Sequence, residues 1–512
     1  MHLRALLDGA AIDRATLLSV PDDGDWEAVE VTDVACDSRA ARRGSLFCCI
    51  RGRRADGHDH APQAVAAGAV ALVSEHRLRL GVPNVVVRST ADVAGCLAAS
   101  LHGHPSRALR LLGATGTNGK TTTTYLLESI LDAQARGGVG VIGTVETRWT
   151  GHAEASSLTT PDACELQSLL ARMRDDGVTD VAMEVSSHAL HQGRVLGCEF
   201  TAACFTNLSQ DHLDYHGTME EYAAAKRSLF TPRYTNLAVT NIGDEVGRVI
   251  AAEARALGLD VWTYAPLDPR SPAARAPRGS TPDVTAAHAT FTLRSIQCTI
   301  AGARVAEPFA IEVPLVGAFN LENVLAAATT ALAVGVPASV VASALRSAPP
   351  VPGRLQPVPN ERGLHVFVDY AHTPEALTRV LAALRAVAPS SARLVVVYGA
   401  GGDRDRHKRP LMAMAVADGA DTAVLTSDNP RSEDPAAIAA EVLRGAPGDR
   451  APLVELDRRA AIALALREAS PGDVVVIAGK GHEQGQTIGD AVLPFDDVAV
   501  ARELLGALGG RS

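Results

Sequence analysis

The chain has 512 residues, of which 47 % are hydrophobic and 21 % charged, and its formal net charge is −10. A length of this order predicts about two to four domains with well-buried cores in an ordinary globular protein. The acidic balance without a Lys/Arg-rich block argues against nucleic acid as a partner, and no apolar run of about 18 residues predicts membrane insertion.

Three blocks follow in chain order. The first, 1–103, opens with MHLRALLDGAAIDRATLL, where Asp8 and Asp13 break the apolar core that a signal peptide needs. VACDSRAARRGSLFCCIRG reads as strand, turn, strand, and APQAVAAGAVALVSE as a helix leading into a strand. The second block, 104–348, begins at HPSRALRLLGATG, an apolar strand running into a Gly-rich turn. Strand and helix then alternate as far as NLENVLAAATTALAVGV, which predicts a mainly parallel sheet with helices on both faces. Within this block 266–290 is rich in Pro, Ala, Arg and Ser and is expected to be an exposed, mobile loop. The prolines of SAPPVPGRLQ mark a linker into the third block, 349–512. There HVFVDYA, ARLVVVYGAGG, DTAVLTSDN and GDVVVIAGKG are strand-like runs that end in Gly, polar or charged residues. Open α/β sheets bind ligands beyond the carboxyl ends of their strands, where these polar stretches would lie. The 8 cysteines have no C-x-x-C and no regular spacing, so neither a disulfide framework nor structural zinc is expected, and a reducing cytoplasm fits.

GATGTNGKTTTTYLLESIL, from Gly113, carries the most chemistry. A strand enters, Gly116 and Gly119 allow tight turning, and Lys120-Thr121 open a helix. Backbone N–H groups at that helix start would hold phosphate oxygens. Lys120 would neutralise β/γ charge, and the Thr121 hydroxyl would ligate Mg²⁺. Ala114 stands where the strict G-x-x-x-x-G-K-[ST] pattern has its first Gly. GAGGDRDR, from Gly399, has Arg404 where G-x-G-x-x-G needs its third Gly, which weakens a dinucleotide reading. Glu184 ends an apolar run in VAMEVSSHAL, and a carboxylate there is costly unless paired or bound to a cation. Beside a phosphate loop it becomes a Mg²⁺ candidate, with a capping or ion-paired Glu as the alternative. His212 and His216 stand at i, i+4 in DHLDYH, but Leu213 replaces the Glu of H-E-x-x-H, so a zinc protease is not expected. Lys226, mid-helix in MEEYAAAKRSLF, reads on its own as a solvated lysine.

GTNGKTT, EVSSHAL, DHLDYHGTMEEYAAAK, VGAFNLEN, DYAHTPEA, GGDRDRHKRP, DNPR and GKGHE occur in this order. Together they resemble the Mur ligases of peptidoglycan synthesis across essentially the whole chain. The resemblance implies an α/β fold of three domains. These are a smaller mixed N-terminal UDP-substrate domain, a central P-loop ATPase-like parallel sheet and a Rossmann-like C-terminal amino-acid domain. It also implies the tripeptide-forming reaction. ATP would phosphorylate the D-glutamate side chain of a UDP-muramoyl dipeptide, and the amine of a diamino acid would attack the acyl phosphate. By this resemblance Gly116, Thr117, Asn118, Gly119, Lys120, Thr121 and Thr122 hold ATP, and Asn320 contacts adenine. Arg354, Asp369 and His372 reach the nucleotide when the C-terminal domain closes. Thr121, Glu184, His212 and a carbamylated Lys226 form the Mg²⁺ set. Lys120, Lys226 and His212 are then catalytic, and His216 is structural. Ser38, Thr159, Thr160, Ser186, Gln192 and Arg194 contact the UDP substrate. The 266–290 insertion and His60, where the family often has an aromatic residue, depart from the pattern.

TSDNPR, from Thr426, bears on the choice of amino acid. Pro430 stiffens the loop, and Asp428, Asn429 and Arg431 supply an acid, an amide and a guanidinium. L-Lysine has only an ammonium at its distal end, whereas meso-diaminopimelate has an ammonium and a carboxylate. Arg431 can grip that carboxylate bidentately, and Arg404 offers a second cation. Asp428 or Glu483 can accept from the ammonium, Asn429 can bond either group, and Gly479 permits close approach. meso-Diaminopimelate is therefore the expected substrate. The alternatives are an L-lysine-adding ligase, a folylpolyglutamate-type ligase or, from a different class, a non-catalytic ATP-binding regulator. The presence of Thr121, Glu184, His212 and Lys226 argues against the last.

Overall fold

Arg110–Thr115 is buried along its whole length, as a strand covered on both faces must be. In the computed structural model, which describes residues 1–12, 16–20, 25–52, 55–266 and 281–509, this strand lies inside an eight-stranded sheet. The spatial order is Asp260–Tyr264, Leu237–Asn241, Ala202–Phe205, Arg110–Thr115, Val178–Glu184, Gly138–Ile142, Glu146–Trp149, His152–Ala155. All pairs are parallel except the last two, which turn antiparallel at one edge. Helices Lys120–Gln134 and Phe319–Ala333 pack on this sheet through Leu126, Leu127, Ile130, Leu321, Val324 and Leu325. Each such buried side chain contributes about 1.5–3 kcal/mol relative to exposure.

A five-stranded sheet precedes it, with order Leu17–Ser19, Asn84–Val87, Ala71–Ser74, Ser45–Cys48, Asp33–Ala35. Only its first pair is antiparallel. A six-stranded sheet follows, with order Gln356–Pro357, His365–Asp369, Val474–Ala478, Leu394–Tyr398, Thr422–Leu425, Leu453–Val454. Its helices start on ordinary signals. The Thr373 hydroxyl accepts from Ala376 N at 3.2 Å with Pro374 at the first position, and Asp434 caps Ala436 N at 3.0 Å ahead of Pro435. The loops carrying GGDR, TSDNPR and GKGHE leave three adjacent strands of this sheet at their carboxyl ends. The fold class is thus α/β, as expected. Among the described residues no helix is long and apolar enough to cross a membrane.

Two expectations need correction. Of the 266–290 stretch, 267–280 lies outside the described residues, but Thr285–Phe291 is a strand. It forms a three-stranded antiparallel sheet with Ile296–Ala301 and Phe309–Val313 and buries Val284, Ala286 and Ala289 in the central core. Alanines carry the buried positions, so the strand has little apolar signal, and the strand–helix alternation is interrupted here. Second, Cys36 and Cys164 form a disulfide, with Cα atoms 6.2 Å apart across 128 positions of sequence. Cys164 lies in the first turn of helix Ala163–Asp175 and packs into the core of the N-terminal sheet, a pairing that no local spacing encodes.

Candidate active site

The turn between strand Arg110–Thr115 and helix Lys120–Gln134 is held from behind by a second segment. Thr117 N donates to Asn207 O at 2.8 Å, and Asn118 N to Asn207 Oδ1 at 3.0 Å. Gly119 has φ +88°, and a side chain there would collide with Asn323, so only glycine fits. Lys120 Nζ lies over the turn, on Gly116 O at 2.9 Å and Thr117 O at 3.0 Å. Thr122 is buried beneath it.

Glu184, only 1 % exposed, ends strand Val178–Glu184 directly under this turn. Its carboxylate accepts from Thr121 Oγ1 at 3.1 Å, Thr144 Oγ1 at 3.1 Å and Thr144 N at 2.8 Å. These are hard oxygen donors beside a phosphate loop, which fits Mg²⁺; that ion commonly takes one or two carboxylates and completes its shell with phosphate oxygens and water. Among the described residues no three His, Cys, Asp or Glu side chains converge as a full metal cage, and such an ion does not require one.

Lys226 is not a solvated mid-helix lysine. It stands one residue from the end of helix Met219–Arg227, is 1 % exposed, and donates to Gly116 O at 2.7 Å. Burial pushes its ammonium well below the usual lysine range, and the Lys120 charge acts in the same direction. His212 is exposed and is not joined to Glu184; its ring meets His188 at 4.8 Å and Tyr222 at 6.1 Å. His216 is buried, with Nε2 3.0 Å from Ser187 Oγ.

The residues expected to hold the UDP substrate form a connected patch beside Glu184, apart from Ser38. Thr159 and Thr144 share a hydroxyl contact at 3.1 Å, and Thr160 Oγ1 donates to Glu184 O at 2.9 Å. Ser186 N donates to Thr160 Oγ1 at 3.0 Å, and the Ser186 hydroxyl caps Ala189 N. Arg194 Nη1 donates to Thr160 O at 3.1 Å and its Nε to Gln192 Oε1 at 2.8 Å. Ser38 bonds Gln63 at 3.0 Å in the N-terminal sheet region. The Cys36–Cys164 link nevertheless ties the segment of Ser38 to the helix that follows Thr159 and Thr160. His60 is exposed.

A chain of contacts leads from the phosphate loop to the C-terminal sheet. Arg354 Nη2 reaches Thr121 Oγ1 at 3.5 Å, and its guanidinium lies 5.2 Å from the Tyr370 ring centre. Tyr370 packs against His372 at 4.6 Å and His482 at 5.0 Å. Asp369 is buried and accepts from Leu355 N at 2.7 Å and Ala371 N at 2.8 Å; burial raises its carboxyl above the usual range. His372 Nδ1 faces Tyr370 O at 2.7 Å, and Lys408 holds the His372 carbonyl at 3.0 Å. Asn320, in the first turn of its helix, donates to Val316 O just ahead of that helix at 2.8 Å and accepts from Asn323 Nδ2 at 2.8 Å.

The three charged loops meet beyond this chain. Arg431 has φ +53°, donates its N–H to Thr487 O at 3.0 Å, and places Nη1 on Gly402 O at 2.7 Å. Arg404 is exposed on the neighbouring turn, and Pro430 is buried. Asn429 Nδ2 donates to Glu483 Oε2 at 2.8 Å. A Cβ on Gly479, whose φ is +116°, would stand 2.6 Å from Asp428 Oδ2. Burial pushes the Asp428 carboxyl up against the pull of Arg458 and Lys480. Burial also pushes Glu483 up, but the Lys480 ammonium outweighs it and Glu483 ends below its usual range.

Three residues of this region went unassigned in the sequence. Thr144 follows a strand with nothing to mark it. Lys480 lies inside GKGHE, among residues that drew attention for other reasons. Arg458 is fully buried on Asp497 at 2.7 Å and also bonds Ser427 O in the loop after one strand and the strand-end carbonyl Ala478 O. Its only signal is a cationic residue at a helix start, which is unremarkable.

A phosphate loop over a buried carboxylate, faced by a second α/β sheet with charged loops, defines a nucleotide-dependent enzyme whose second sheet carries groups suited to a further polar substrate. The sequence patterns of three domains match in order: Mur ligase family, catalytic domain, over 30–102; Mur ligase middle domain over 114–331; and Mur ligase, glutamate ligase domain, over 353–481. The UDP-N-acetylmuramoyl-L-alanyl-D-glutamate–2,6-diaminopimelate ligase of Gloeobacter violaceus is 43 % identical over 99 % of this chain and 98 % of its own length. The enzyme of the same name from Geobacillus thermodenitrificans is 45 % identical over 92 % of this chain and 94 % of its own. A solved structure of a ligase with that name is 33 % identical, covers 99 % of this chain and 100 % of its own, and superposes with a TM-score of 0.72. Mycobacterium tuberculosis folylpolyglutamate synthase shares the fold at 19 % identity, with a TM-score of 0.59 over 81 % of this chain and 93 % of its own. The chain belongs to the Mur ligase family.

Proposed function

We infer that this ligase adds meso-2,6-diaminopimelate to UDP-N-acetylmuramoyl-L-alanyl-D-glutamate with consumption of ATP, in peptidoglycan synthesis. The observation that carries the reading is the contact of Arg354 with Thr121, because it sets the amino-acid loops facing the phosphate loop. The shared name of the relatives supports the substrates. We assign the UDP substrate to 1–103, ATP and the ligation chemistry to 104–348, and the amino acid to 349–512.

Backbone N–H groups of Gly116 to Thr122 bind the ATP phosphates, and Lys120 neutralises their charge. Thr121, Glu184, His212 and a carbamylated Lys226 are the residues that would hold Mg²⁺, which when bound offsets negative charge on the transferring phosphoryl group. Lys226 supports that role because CO₂ reacts with a neutral amine, and burial favours the neutral form. Thr160, Ser186, Gln192 and Arg194 orient the dipeptide carboxylate toward the γ-phosphate. Arg354, Asp369 and His372 close over the nucleotide and keep water from the acyl phosphate. Arg404, Asp428, Asn429, Arg431, Gly479 and Glu483 then hold the diamino acid for attack. ATP supply places the reaction in the cytoplasm.

Labelled oxygen tests the reaction class. With heavy oxygen in the D-glutamate side-chain carboxylate, one labelled atom should appear in the released phosphate for each tripeptide formed. Phosphate without label would contradict an acyl phosphate, and no ADP release at all would favour a non-catalytic ATP-binding protein.

A further inference from the structure

Asn429 and Glu483 share a third partner. Lys480 is fully buried, and its Nζ donates to Asn429 Oδ1 at 3.0 Å and to Glu483 Oε2 at 2.9 Å. Asn429 Oδ1 also accepts from Thr487 N at 3.0 Å, while Asn429 Nδ2 donates to Glu483 Oε2 at 2.8 Å. Two donors on Oδ1 fix which end of the amide is which, because a flipped amide would set its NH₂ against both. Glu483 Oε2 is likewise taken by two donors, and Oε1 is the oxygen outside these bonds. An ammonium buried this deeply is costly, and only a full set of acceptors offsets the cost.

The charge balance then bears on selectivity. Asp403, Asp428 and Glu483 bring negative charge to the three loops; Arg404, Arg431 and Lys480 bring positive charge, so removing Lys480 leaves an excess of acids. Without the Lys480 ammonium, Glu483 would lose its bonded cation, and Asn429 Oδ1 would lose one of its two donors and be open to another. Both changes favour a substrate whose distal end is a lone cation over one whose distal end also carries a carboxylate. Resting on the amino-acid site assigned above, we propose that Lys480 is a positioning residue that sets amino-acid selectivity: it orients Asn429 and holds Glu483 in check, so that a diamino acid with a distal carboxylate is preferred.

The test uses the full chain with saturating ATP and UDP-dipeptide, and reads kcat/KM for meso-diaminopimelate and for L-lysine. The unmutated chain comes first; if it uses the two equally or prefers L-lysine, the substrate reading itself fails. Given a preference for meso-diaminopimelate, Lys480→Met and Lys480→Gln should lower the ratio of the two kcat/KM values by at least about tenfold. The change should come mainly through KM for the diamino acid, with KM for ATP nearly unchanged. Equal losses with both amino acids in either variant that folds would reduce Lys480 to a structural residue and overturn the proposal. The unmutated protein gives an arm independent of variant folding. Amine-reactive labelling followed by mass spectrometry should leave Lys480 unmodified with and without meso-diaminopimelate, and labelling as fast as the half-buried Lys408 would also overturn it.

Discussion

Lys226 and Arg431 show how far the surroundings of a residue can depart from its local sequence. The stretch MEEYAAAKRSLF suggests a lysine in water, yet the fold buries its amine on the phosphate turn. If that amine carries a carbamate, Lys226→Ala should be nearly inactive in an ADP-release assay. Formate or acetate should then restore part of the rate by replacing the lost anion. An active, nucleotide-bound crystal structure with a bare, solvent-facing Lys226 amine would contradict the carbamate. Arg431 adopts a left-handed backbone conformation, held by its N–H on Thr487 O, so the guanidinium is aimed by the main chain. Arg431→Ala should lose roughly 2–5 kcal/mol of transition-state stabilisation with meso-diaminopimelate, the scale for truncating one partner of a buried charge pair. L-Lysine turnover should change far less, and equal losses in kcat/KM would contradict a carboxylate grip.

At the scale of elements, legibility followed the strength of the apolar pattern. Runs such as LVVVY and VVVIA are continuous and β-branched, and they form the buried strands Leu394–Tyr398 and Val474–Ala478. Because a strand buried on both faces must end where polar sequence begins, the loop positions of GGDR, TSDNPR and GKGHE could be read as well. The strand Thr285–Phe291 could not, since TAAHATF alternates through alanine and its neighbours in sequence are rich in Pro and Arg. Bonds within the loops were also out of reach. Nothing in GKGHE says that its lysine turns inward to Asn429, because that depends on register between loops 51 positions apart. The Glu184–Thr144 contacts are of the same kind, made by tertiary closure across 40 positions.

At the scale of the whole molecule, the two halves of the site stand on different sheets and meet through Arg354 and Tyr370. Order of motifs along the chain revealed the family but could not show this junction, nor the Cys36–Cys164 link between the first two blocks. The central claim is that the charged loops of the C-terminal sheet select a diamino acid with a carboxylate at its far end. The most direct measurement is kcat/KM of the unmutated chain for meso-diaminopimelate and for L-lysine, with UDP-N-acetylmuramoyl-L-alanyl-D-glutamate and ATP held saturating. With Arg431 and Arg404 left without their carboxylate, L-lysine should be penalised by roughly 100-fold or more. Equal values for the two amino acids, or a preference for L-lysine, would contradict it.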